Sequence, residues 1–133
     1  MSLAEERRDA RERALALLYE AETKGCTGTE VLENLPVAAD DFAADLVRAV
    51  DEHHDRIDGL LAEHARGWTV SRMPAIDRAA LRMGTAELIT RPDVPTAVVL
   101  NETVDLAKRF STDDSGRFVN GLLAKIATEV RPG

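Results

Sequence analysis

Apolar positions recur at spacings of three and four along most of the chain, and nowhere do they alternate as in a half-buried strand. The pattern predicts about seven helices. The first runs from about Ala4 to Lys24 and stops at Gly25, a residue suited to the left-handed conformation that closes helices. Thr29 to Leu35 predicts a short second helix, ended by Pro36. Asp40 to Ala65 keeps one apolar stripe (Ala43, Leu46, Val50, Ile57, Leu61), read as two helices or one bent helix with any break near His53 and His54. Gly67 and Trp68 open a loop. A fifth helix has Pro74 in its first turn and reaches Ile89, followed by a turn through Arg91-Pro92-Asp93-Val94-Pro95. A sixth helix ends near Arg109 and buries Val99, Leu100, Thr103, Leu106 and Phe110. Ser111 to Ser115 supply loop and N-cap chemistry for a last helix that buries Val119, Leu122, Leu123 and Ile126, with Phe118 inside or at the edge. The expected class is all-α: one compact domain, or two small subdomains sharing a core.

Composition narrows the functions. The chain has 133 residues, 44% apolar and 31% charged, with 24 acids against 17 bases. It is too apolar for a disordered tail, and the net charge of −7 argues against indiscriminate nucleic-acid binding. No run of about eighteen apolar residues predicts a membrane span. The start, Met1 to Arg8, is charged where a signal peptide needs an apolar stretch, so a cytoplasmic location is expected. The single cysteine, Cys26, excludes an intrachain disulfide.

Charge is sorted around the first helix. At about 100° per residue, Ala10, Ala14, Leu17, Leu18 and Ala21 form an apolar face, with Glu5, Asp9, Glu12 and Glu20 opposite. Arg7, Arg8 and Arg11 fall between them within an arc of roughly 100°. Leu15 and Tyr19 continue that strip. Guanidinium forks match phosphate oxygens, and a ring such as Tyr19 can stack on an unpaired base. The plainer reading is a solvated face whose arginines pair with neighbouring acids.

Catalytic signatures are nearly absent. His53 and His64 share a helical face but stand about 16 Å apart along it, too far to hold one ion. Asp51-x-x-His54 occurs once, where a di-metal bundle needs two such motifs. No phosphate-binding glycine loop, nucleophile elbow or H-E-x-x-H stretch is present. The expectation is a binding protein with no cofactor and no metal. Gly121 stands out inside the last helix, where it costs about 1 kcal/mol against alanine. It shares a face with Arg117, Asn120 and Lys125, and marks either close helix packing or a surface that a ligand backbone approaches.

Three stretches together resemble the NusB family: Arg7-Arg8-Asp9-Ala10-Arg11-Glu12 leading to Leu17-Leu18-Tyr19; Ile76-Asp77-Arg78-Ala79-Ala80-Leu81-Arg82-Met83-Gly84 with Glu87-Leu88; and Asn101-Glu102-Thr103-Val104-Asp105-Leu106-Ala107-Lys108 followed by Phe118-Val119-Asn120-Gly121-Leu122-Leu123. The resemblance implies a single RNA-binding domain of two packed helical subdomains, about residues 1–66 and 67–133. It implies transcription antitermination: pairing with the ribosomal protein NusE, binding boxA single-stranded RNA, and read-through by RNA polymerase, notably in ribosomal RNA operons. It assigns RNA contacts to Arg7, Arg8, Arg11, Arg117 and Phe118, joined by Tyr19 on geometry, and makes Glu87 a candidate for the NusE surface. Relatives occur as monomers and as homodimers. One alternative is a helical protein-interaction module without RNA binding of its own. Another is the leading domain of a ribosomal RNA methyltransferase, for which a chain ending at Gly133 leaves no cofactor domain.

Overall fold

The computed structural model describes residues 1–133. Seven α-helices follow one another: α1 Leu3–Lys24, α2 Gly28–Glu33, α3 Asp41–Glu52, α4 His54–His64, α5 Ala75–Thr90, α6 Thr96–Phe110 and α7 Asp113–Val130. A single 3-10 turn, Val70–Arg72, lies between α4 and α5 and was not expected from the periodicity.

Local chemistry sets the ends. Ser2 accepts the Glu5 amide to cap α1, and Gly25 closes it at φ 68°, a conformation costly for any residue with a Cβ. Thr27 and Glu30 form a reciprocal capping box, so α2 begins at Gly28, one residue earlier than predicted. Asp40 caps α3 by accepting the Phe42 and Ala43 amides. The chain breaks at His53, at φ −108° and ψ 20°, which resolves the long apolar stripe into two helices. Pro74 sits just outside α5 rather than in its first turn. Thr112 accepts the Ser115 amide and caps α7, so Ser115 lies buried in the first turn instead of a loop.

Helix α5 is the axis of the fold. It packs against α1, α3, α4, α6 and α7. One cluster of 32 buried apolar residues runs through both halves of the chain, so the halves share a core. At Gly84, α5 lies close against α6 and α7: a Cβ there would stand 2.9 Å from a Leu123 methyl and 3.0 Å from Thr103 Oγ1. Two arginines fasten the connections. Arg78 donates to the carbonyls of Val70, Ser71 and Met73, and pairs with Glu22. Burial, then the neighbouring Arg82 charge, lowers its pKa. Arg131 donates to the carbonyls of Leu88, Arg91 and Val94 and to Thr96 Oγ1, tying the α5–α6 turn to the end of α7. Phe110 differs from expectation: it is 45% exposed, because it ends α6 at the rim of the core.

No helix is long and apolar enough to cross a membrane.

Candidate nucleic-acid interface

Arg7, Arg8 and Arg11 of α1 do not form one free strip. Arg11 is 2% exposed, and its Nε and Nη2 donate to Glu87 Oε1 and Oε2 at 2.8 and 2.6 Å. Arg11 is therefore withdrawn from the expected RNA surface, and Glu87, fully buried, from the expected partner surface. The physical reason is the width of the buried arc. Arg11 lies about 20° from Leu18 around the axis, and its neighbours Ala14, Leu15 and Leu18 are all buried. Only a fixed counter-charge makes such a burial tolerable.

Arg7 and Arg8 diverge to either side of that pair. Arg7 turns toward α3: its guanidinium lies 4.9 Å from the centroid of Phe42, a ring also approached by Arg91 at 4.8 Å and Arg11 at 5.3 Å. It faces Asp93 at 3.8 Å. Arg8 turns toward α6 and donates twice to Glu102, both at 3.2 Å, while remaining half exposed. Hydrogen bonding and attraction to Glu102 raise its pKa. A second bridge between α1 and α6, from Arg109 to Glu12 at 3.4 Å, lies further along the same seam.

Beyond that bridge the seam becomes apolar. Leu15, Ala16, Tyr19, Ile76 and Phe110 line a groove, with Tyr19 and Phe110 42% and 45% exposed. Tyr19 thus belongs with Phe110 and not with Phe118.

Phe118 is in another place, at the junction of α7 with the loop after α4. Its ring lies 5.7 Å from that of Trp68, tilted by 49°, and Trp68 is half exposed. Around the two rings stand His64, Arg66, Arg117, Gly121 and Lys125, lining a shallow cleft. Arg66, Arg117 and Lys125 are exposed, and Asp114 pairs with Arg117. A Cβ on Gly121 would meet nothing within 4 Å. Close packing therefore does not account for this glycine, and its bare backbone faces the cleft. The arrangement joins stacking surfaces with cations that can reach a phosphate chain. Sequence periodicity pointed to Arg117, Phe118, Gly121 and Lys125 but missed Trp68 and Arg66, which lie in a loop without periodicity. The signal there was an aromatic in a polar, glycine-containing loop beside an arginine.

The sequence profile of the NusB family matches residues 8–128. The chain belongs to the NusB family. The transcription antitermination protein NusB of Saccharopolyspora erythraea is 48% identical over 127 residues, covering 91% of this chain and 86% of that protein. Among solved structures, T. maritima NusB superposes with a TM-score of 0.84 at 32% identity, covering 95% of this chain and 93% of the other. A structure of antitermination factors NusB and NusE in complex with dsRNA gives a TM-score of 0.79 at 30% identity, covering 97% and 99%.

Proposed function

We propose that this NusB-family protein is an antitermination factor that acts in the cytoplasm by binding, without catalysis, and holds boxA-type single-stranded RNA jointly with a NusE-type ribosomal protein. The observation that carries the reading is the Trp68–Phe118 pair ringed by Arg66, Arg117 and Lys125. Unpaired bases offer faces for stacking, which a duplex hides, and each stack contributes about 1–3 kcal/mol. Arg8 extends the phosphate-binding surface, with Glu102 as the partner it must exchange. The apolar groove of Leu15, Tyr19, Ile76 and Phe110 supports docking of the protein partner, as a side-chain seam of exposed rings suits protein more than phosphate. A net charge of −7 keeps unaided RNA affinity low, so the partner's surface supplies the rest.

The test is a titration of boxA-like RNA, single- and double-stranded, with and without NusE, at several salt concentrations. Three or four phosphate contacts give a log–log salt slope of roughly −2 to −3 on a single strand. Alanine at both Trp68 and Phe118 abolishes most single-strand affinity and leaves NusE binding intact. A slope near zero, or unchanged RNA binding in that variant, leaves the protein-only interaction module as the reading.

A further inference from the structure

At the edge of this cleft the last turns of α4 and α7 meet. We propose that Glu63, His64 and Glu129 form a binding site for a divalent transition-metal ion of the zinc type. His64 Nε2 stands 3.1 Å from Glu129 Oε1 and 4.0 Å from Glu63 Oε1, and one donor atom from each of the three side chains lies within 4.8 Å of the others. Metal–ligand bonds of about 2.0–2.1 Å at tetrahedral angles set donors about 3.3 Å apart, so small side-chain rotations complete the geometry. One imidazole and two carboxylates suit zinc and its first-row neighbours, whereas calcium and magnesium take oxygen ligands. Three protein donors leave a position for water.

Electrostatics points the same way. Glu63 lies in the last turn of α4 and Glu129 in the last turn of α7. Helix C-termini carry partial negative charge, so both carboxylates occupy positions the dipole disfavours, and they converge on the same imidazole. A bound cation relieves both conflicts and draws on two helix ends at once. The carboxylates are 58% and 46% exposed, which gives the ion a path from solvent. Histidine spacing within one helix could not reveal this set, because Glu129 comes from another helix 65 residues further on.

Tag-free protein is titrated with Co2+, whose visible bands report coordination, and then with Zn2+ in competition. The expected result is one equivalent of Co2+ displaced by Zn2+, a rise in melting temperature with Zn2+, and no rise with equimolar Mg2+. His64→Asn and Glu129→Gln each weaken binding at least tenfold while the circular dichroism spectrum is unchanged. A variant lacking Cys26, His53 and His54 binds as the parent does. Uptake of no Co2+, an equal response to Mg2+, parental affinity in His64→Asn and Glu129→Gln, or loss of binding with Cys26, His53 and His54 would each overturn the proposal.

Discussion

Arg11 and Glu87 meet through two parallel hydrogen bonds of 2.8 and 2.6 Å, and neither side chain reaches solvent. The pair pins α1 to α5 at the centre of the molecule. Removing either partner strands a buried charge, which costs about 3–5 kcal/mol. Arg11→Ala and Glu87→Ala should therefore each lower the melting temperature by roughly 10 °C or more, read by calorimetry. Replacing both with apolar residues of similar volume should cost far less than the two single changes summed. An Arg11→Ala protein that melts as the parent does, yet has lost RNA affinity, would return this arginine to the RNA surface.

Asp114 holds Arg117 at the mouth of the aromatic cleft. Its carboxylate also repels phosphate. Asp114→Asn frees the guanidinium, and RNA affinity should rise about two- to fivefold, the range of an exposed ion pair. Fluorescence anisotropy at two salt concentrations measures it. Equal or weaker binding rejects the placement of RNA at Arg117.

Gly121 lowers helix stability without any packing return. Gly121→Ala should raise stability by about 0.5–1 kcal/mol, seen as a later denaturant midpoint. It should also weaken RNA binding, because the methyl group projects into the cleft. A gain in stability with unchanged affinity would mean that no ligand backbone comes near this position.

Arg131 serves three backbone carbonyls and one hydroxyl around the α5–α6 turn. Arg131→Ala leaves those acceptors to water and should destabilise the protein by about 2–3 kcal/mol. Hydrogen exchange should quicken first at residues 91–96.

Much of the fold was legible because helix periodicity and end chemistry are local. Ser2, Gly25, Thr27, Asp40 and Thr112 act within three or four residues of themselves, and the break at His53 falls where the long apolar stripe left room for one. The candidate site was legible only in part. Arg11 falls at the margin between the charged strip and the apolar face, and the burial of Ala14, Leu15 and Leu18, three, four and seven positions on, puts it on the covered side. Trp68 carried no periodic signal at all.

By itself, the order of residues determined about seven helices, their ends to within a residue or two, and membership of the NusB family. Only tertiary structure decided which charges meet. Glu87 finds Arg11 across 76 positions and Glu102 finds Arg8 across 94, and such partners exist only once helices pack. Local spacing tells which side of a helix a group occupies; whether that side faces water, a carboxylate or a neighbouring ring depends on the helix laid against it.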